Sequence, residues 1–236
     1  MNTTATMKIH KSENRGHAHH GWLDARHSFS FSSYYNPDMM GFRSIRVLNE
    51  DRIDAGQGFP MHPHNDMEII TYILEGGLAH KDSMGNSSFI KKGDIQRMTA
   101  GTGIVHSEMN PTDQNTHLFQ IWIKPEEKGL KPGYEEVNIG EELKLNQLHL
   151  MASREGGDNA VTIYQDAKIY TSLLEQNNTL TYNSKENRHH WLQLASGSLS
   201  VNGTIIHAGD AIAFNDETEI EIKANEESEF LLFDLA

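Results

Sequence analysis

Residues 71–98 read TYILEGGLAHKDSMGNSSFIKKGDIQRM, and residues 191–214 read WLQLASGSLSVNGTIIHAGDAIAF. Both pass from an apolar strand through a glycine into a hairpin, then through Gly-Asp into another strand. The second copy has the tighter hairpin, built on Asn202-Gly203, a pair that suits a type I′ turn. Short runs elsewhere follow the same grammar: SIRVL (44–48), EIITYIL (68–74), HLFQIWI (117–123), HWLQLA (190–195) and EFLLFDL (229–235) are rich in β-branched, aromatic and leucine residues. Gly76-Gly77, Met84-Gly85-Asn86, Lys92-Gly93-Asp94, Gly101-Thr102-Gly103 and Gly209-Asp210 punctuate them. An all-β chain of two similar barrel domains is expected, divided as 1–130, a connector at 131–155, and 156–236. The stretch 125–157, with two prolines and a Gly-Gly pair, shows no sustained period and is expected to hold one short helix around Glu141–Leu145.

The 236 residues exceed the usual domain size of ~100–150 and fit either one large β domain or two small ones. Mean hydropathy is -0.58, and no apolar run approaches the ~18 residues that span a bilayer, so a soluble protein without membrane contact is expected. The opening MNTTATMKIHKSENRGHAHHGW carries charges and histidines but no apolar run of signal-peptide type, which makes the cytoplasm the expected location. The absence of cysteine excludes disulfides, thiolate metal sites and cysteine nucleophiles, so any metal must sit on nitrogen and oxygen ligands. A formal net charge of -13, with Lys and Arg scattered, argues against direct nucleic-acid binding.

Two further stretches carry chemistry: FPMHPHNDME at 59–68 and IVHSEMN at 104–110. On a strand, residues i and i+2 share a face, so His62 and His64 point one way, as do His106 and Glu108. If that face is the barrel interior, three imidazoles and a carboxylate converge into a set suited to Fe(II), Mn(II), Ni(II), Cu(II) or Zn(II), with one or two positions open. The competing reading is a surface or hydrogen-bonded pair, which is what a lone His-x-His on a strand usually is, and Pro63 is best tolerated on an edge strand. The second pair, placed after a turn glycine in the same expected domain, favours the metal. In the second copy His189 and His190 are adjacent and so face opposite sides, while Glu219-Ile-Glu221-Ile holds no histidine, so no second metal site is expected. His17, His19 and His20 read as a solvated loop, and Trp22, Phe29, Phe31, Tyr34 and Tyr35 as strand packing. Met39, Met40, Met61, Met67 and Met98 read as core fillers, with Met61 and Met67 expected nearest the candidate site.

Gly56, His62-x-His64 and Glu68 follow the spacing of the first cupin motif, and Gly93, Gly103, His106 and Asn110 that of the second. Two departures stand out: Glu68 to Gly76 is one residue longer than the general motif, and Thr99-Ala100-Gly101-Thr102-Gly103 replaces its proline-containing turn. The pirin branch shares both. RHSFSFSSYYNPDMMGFRSIRVLNEDRI (26–53), MHPHNDMEIITYILEGG (61–77), DIQRMTAGTGIVHSE (94–108) and LLFDL (231–235) resemble pirin-family bicupins across nearly the whole chain, especially bacterial ones associated with quercetin 2,3-dioxygenase activity.

That resemblance implies two cupin domains of double-stranded β-helix (jelly-roll) type, with metal only in the first. It makes His62, His64, His106 and Glu108 the ligands of one divalent transition metal per chain, Fe(II) favoured over Ni, Cu, Mn, Co or Zn. Glu68, a ligand in many other cupins, is not one in pirins, and is expected to orient an imidazole from behind. The implied activity is cleavage of flavonols such as quercetin by O2 with release of carbon monoxide, Glu108 serving as ligand or as catalytic base for the 3-hydroxyl proton. The alternative implied role is a metal-dependent or redox-sensing regulator that binds a transcription factor or metabolic enzyme. A cupin isomerase or sugar-binding module is less favoured, because its usual motif lacks the His-Ser-Glu pair. Asn65 stands where many pirins carry a basic residue, so the pocket rim is expected to differ in charge.

Overall fold

The apolar runs become the inner strands of two large antiparallel sheets in the computed structural model, which describes residues 6–236. Two compact units form, one from Arg15–Asn138 with Glu155–Gln165, the other from Ile139–Arg154 and Asp166–Ala236 with residues 6–14. The first unit holds a seven-stranded sheet in the order Gly133–Asn138, Asp94–Thr99, Glu68–Glu75, Thr116–Ile123, Ile45–Ile53, Leu23–His27, Gly16–His19. Its inner strand Glu68–Glu75 is buried from Glu68 through Leu74, which is why the sequence there is continuously apolar rather than alternating. A four-stranded sheet, ordered Gly58–His64, Ile104–Met109, Gly77–Asp82, Ser87–Lys91, completes the unit. Leu23, Ile53, Ile73, Leu78, Ile90 and Leu118 form a core cluster with side chains from both sheets.

The other unit repeats this plan in six strands of the large sheet and all four of the small one. Its large sheet runs Thr6–His10, Ala211–Asn215, His189–Ser196, Ser228–Leu235, Ala167–Leu174, His149–Ser153, and its four-stranded sheet runs Thr179–Asn183, Glu219–Ala224, Ser198–Val201, Thr204–His207. Asn202 and Gly203 both take positive φ, 46° and 77°, as a type I′ turn requires. The two units thus form the pair of cupin barrels that the repeat and the motif spacing imply.

Chain order and unit membership part company at the sheet edges. Thr6–His10 pairs with Ala211–Asn215, so the first described strand belongs to the unit formed mainly by the C-terminal half. Residues 131–155, expected as a connector, supply Gly133–Asn138 to one unit and His149–Ser153 to the other, with the helix Glu141–Lys144 between them. Both edge strands, TMKIH and GYEEVN, are mostly exposed or half-buried, so their charged residues give no apolar period for sequence reading to detect.

Lys144, in that helix, is buried with Nζ 2.5 Å from Glu229 Oε1. Removing one partner strands the other charge away from water. Lys144→Ala is expected to lower unfolding free energy by about 3–5 kcal/mol, and Lys144→Met with Glu229→Leu to restore most of it. A urea-unfolding double-mutant cycle measures this; a loss under about 1 kcal/mol in the single variant contradicts it.

Candidate metal centre

Gly58–His64 is the outer strand of its sheet, where Pro60 and Pro63 remove few ladder bonds. It pairs with Ile104–Met109 so that His62 stands opposite His106. Alternation then brings His64 to the same side. The ligand atoms of His62, His64 and His106 all lie within 4.8 Å of one another, and their ring centroids are 4.4 to 5.0 Å apart.

Each imidazole is supported differently. His62 donates through Nδ1 to the Pro60 carbonyl at 2.8 Å, which leaves Nε2 with its lone pair. His64 packs edge-on to Trp122, centroids 4.9 Å apart. His106 is buried, and its Nε2 has no hydrogen-bond partner. An orphaned buried nitrogen beside two other imidazoles is what a cation would satisfy, so the three residues fit a metal. Burial, then the neighbouring histidines, lowers His106 to about 2 and His64 to about 4, so both are neutral ligands near pH 7.

Glu108 lies two residues beyond His106 and lines the same cavity, yet its carboxylate is not among the gathered donors. Thr71 Oγ1 donates to its Oε1 at 3.3 Å, and Gln120 Nε2 reaches both oxygens at 3.2 and 3.3 Å. Burial outweighs these bonds and pushes its pKa up. The strand pairing slips between His106 and Glu108: His106 faces His62 while Glu108 faces Phe59, so Pro60 and Met61 together oppose Ser107. This bulge turns Met61 outward, 53% exposed, and Met67 packs instead with Ile69, Met98 and Ile104; neither methionine lines the cavity as expected.

Glu68 is fully buried and accepts from Thr99 Oγ1 at 3.0 Å, beside Arg97, which bonds Thr99 at 2.8 Å and Glu135 at 2.5 Å. No imidazole is among its hydrogen-bond partners, and burial raises it to about 7.

The cavity has a volume of about 350 Å³, within the range of small-molecule sites. Phe31, Phe59 and Trp122 supply apolar walls, Asn49, Asp51 and Gln120 polar ones. Sequence reasoning assigned none of these to the site except as packing. Asn49/Asp51 and Gln120/Trp122 are themselves i, i+2 pairs, hidden inside strongly apolar strands. Glu50, facing away from Asp51, binds Arg15 at 2.6 Å and His117 at 2.9 Å; burial is outweighed and its pKa falls to about 2. Asp51 has a buried, unpartnered Oδ1, and burial with the Glu108 charge raises it to about 7. His80 and Asp82 were also missed. Both are buried on the strand beside His106, and His80-Lys-Asp82 has the same alternation as the ligand pairs.

Elsewhere, the expected bland features have plain placements. His17 and His19 are on an exposed edge strand, with His17 Nε2 3.1 Å from Asp24. In the other unit the equivalent inward positions carry Leu180, Tyr182, Ile220, Ile222 and Ala224. His189 bonds Asn215 and His190 bonds Ser184, each at 2.9 Å, on opposite faces of their strand.

Two outcomes test this geometry. A Cβ at Gly58 would stand 2.2 Å from the Glu108 carbonyl oxygen, so Gly58→Ala must move backbone beside the site; a loss of about 1–3 kcal/mol in a thermal melt is expected, and unchanged stability contradicts the contact. Glu68 binds its proton more tightly folded than unfolded, so its stabilisation is present below pH 4.5 and is lost as pH rises through about 7. Between pH 5 and pH 8, Glu68→Gln should gain stability relative to the parent by on the order of 2 kcal/mol in metal-free urea unfolding.

A family profile described as Pirin matches residues 8–123, and one described as Quercetinase C-terminal cupin domain matches residues 150–235. The chain is 44% identical over 228 residues to quercetin 2,3-dioxygenase of Escherichia coli strain K12, covering 96% of this chain and 97% of that protein. It superposes on the crystal structure of YhhW from Escherichia coli with TM-score 0.93 at 44% identity, covering 98% of each chain. The bacterial pirin YhhW from the same organism in complex with nickel(II) gives TM-score 0.92 at 43% identity, covering 98% of this chain and 99% of that one. On these matches and on its two repeated barrels, the chain belongs to the pirin family of two-domain cupin proteins.

Proposed function

We propose that this pirin is a metal-dependent dioxygenase that opens the heterocycle of flavonols such as quercetin with O2 and releases carbon monoxide. The observation that carries the reading is three imidazoles, with ligand atoms mutually within 4.8 Å, on the wall of a cavity of about 350 Å³ that also holds two buried carboxyl groups. The Escherichia coli relative bears the name of this activity, and the solved Escherichia coli pirin holds nickel(II). Here His62, His64 and His106 would hold one divalent ion, Fe(II) favoured, with Glu108 as fourth ligand or as base. When bound, the metal supplies Lewis acidity toward the flavonol oxygens and a path for electrons toward dioxygen.

The remaining work falls to the chain's own groups. Phe31, Phe59 and Trp122 line the cavity and are suited to contact a planar aromatic substrate and exclude water. Glu108, made more basic by burial, is suited to accept the 3-hydroxyl proton while Gln120 and Thr71 hold its carboxyl in place. Asp51 is suited to bond a second substrate oxygen. The unit built mainly from Arg15–Asn138 carries the chemistry on this reading, while that of Asp166–Ala236 forms a cupin without a metal site, its inward positions being apolar. We assign the work to the cytoplasm, whose reducing poise keeps Fe(II) reduced.

The test is loss of flavonol absorbance in air by protein reconstituted separately with Fe(II), Ni(II), Cu(II), Mn(II) and Co(II), with carbon monoxide assayed in the headspace. Metal-dependent loss with carbon monoxide, abolished by His62→Ala, is expected. Glu108→Gln should keep some metal and lose turnover by about 10²–10⁴-fold. Tight metal binding without turnover by any ion overturns the dioxygenase reading and leaves the regulatory one, in which a protein partner reads the metal state.

A further inference from the structure

We infer that Asp82 and His80 form a positioning pair that fixes His106 in the tautomer able to bind metal and gives it a support that His62 and His64 lack. This rests on the reading that the three imidazoles hold a metal, and concerns residues outside that set. Asp82 closes the hairpin after Gly77–Asp82. Its Oδ1 accepts the Met84 and Asn86 backbone N–H groups at 2.9 and 3.0 Å. Its Oδ2 accepts Asn86 Nδ2 at 2.8 Å and lies 3.2 Å from His80 Nε2. The side chains of His80 and Asp82 are both fully inaccessible to solvent.

The directions of these bonds determine the rest. A carboxylate only accepts, so the hydrogen between Asp82 and His80 belongs to His80 Nε2. A neutral imidazole has one such hydrogen, so His80 Nδ1 presents a lone pair. That atom stands 3.5 Å from His106 Nδ1, which is the donor when His80 is neutral. His106 Nε2 is left with its lone pair, and it is the buried atom without a partner. Tyr134 covers His80, ring centroids 5.0 Å apart, and is itself bonded to Gln96 at 2.9 Å, so the imidazole has little freedom to turn. His62 is oriented by a neutral carbonyl and His64 by ring packing, so among the three only His106 is linked to an anion. An imidazole hydrogen-bonded toward a carboxylate is the more basic ligand, and such supports typically contribute 10–100-fold in metal affinity.

Asp82→Asn, His80→Leu and His80→Gln test the inference in the full chain, read by Ni(II) dissociation constant and by the ligand-field spectrum of the Ni(II) protein. In Asp82→Asn the amide oxygen stays on the two backbone N–H groups and the NH2 faces His80, which reverses the chain and moves the hydrogen onto His106 Nε2. Asp82→Asn and His80→Leu are expected to bind Ni(II) 10–100-fold more weakly with a shifted spectrum. Gln at 80 offers a donor to Asp82 and an acceptor to His106, and is expected to restore most of the affinity. Melting of the metal-free proteins shows which variants are folded; should Asp82→Asn open the turn, the two His80 variants, which leave it intact, decide. Binding within threefold of the parent in His80→Leu, with an unchanged spectrum, overturns the inference while leaving the metal site standing. No Ni(II) binding by the parent, or binding indifferent to His62→Ala, removes both.

Discussion

The pairing of Gly58–His64 with Ile104–Met109 is the constraint on which the site depends. Its register sets His62 opposite His106, and alternation then assigns His64 and Glu108 to the same interior side. A slip of one residue in Gly58–His64 would send His62 and His64 to the outer face, where Met61 now stands exposed. The bulge opposite Ser107 absorbs an extra residue after the histidine pairing has been set, which separates the treatment of His106 from that of Glu108. The close approach of Gly58 to the Glu108 backbone seals the end of this pairing.

Much of the fold was legible because its signals are local. The five apolar runs became inner strands, Asn202-Gly203 became the turn its chemistry prescribes, and the repeat extended to the whole strand order of both units. The sheet edges were not legible, because Thr6–His10 and Gly133–Asn138 are held by ladder bonds to distant partners and not by a buried face. In the site, the His pairs announce themselves by spacing. Asp51, Gln120 and Trp122 do not, since each lies in a strand whose apolar majority describes the core, and their convergence depends on which strands become neighbours. Glu68 shows the opposite failure: it stands where a motif places it, but its hydrogen bond goes to Thr99 in a network with Arg97 and Glu135.

The two barrels show how far a shared skeleton is from a shared function. The strand orders match, yet the inward positions of one unit hold imidazoles and carboxylates around a cavity, while those of the other hold Leu180, Tyr182, Ile220 and Ile222 in a continuous apolar cluster. Buried polar groups facing open space weaken a core, and a filled one restores packing density. Equivalent strand positions in the two units therefore serve either chemistry or cohesion, according to the side chains set on them.

Glu50 and Asp51 show the same logic in two adjacent residues. Alternation turns Glu50 toward Arg15 and His117, where paired charges hold it ionised with a pKa of about 2. It turns Asp51 into the cavity, where burial and the Glu108 charge outweigh the pull of Arg15 and its pKa rises to about 7. Residue type and sequence position are nearly the same; the strand's two faces make one a structural anion and the other a proton-holding group beside the imidazoles. Arg15 lies outside the cavity lining, so the field that separates them is built by the core and not by the site itself. The chemistry available at the centre is therefore set as much by which carboxylates the fold neutralises elsewhere as by the imidazoles it gathers.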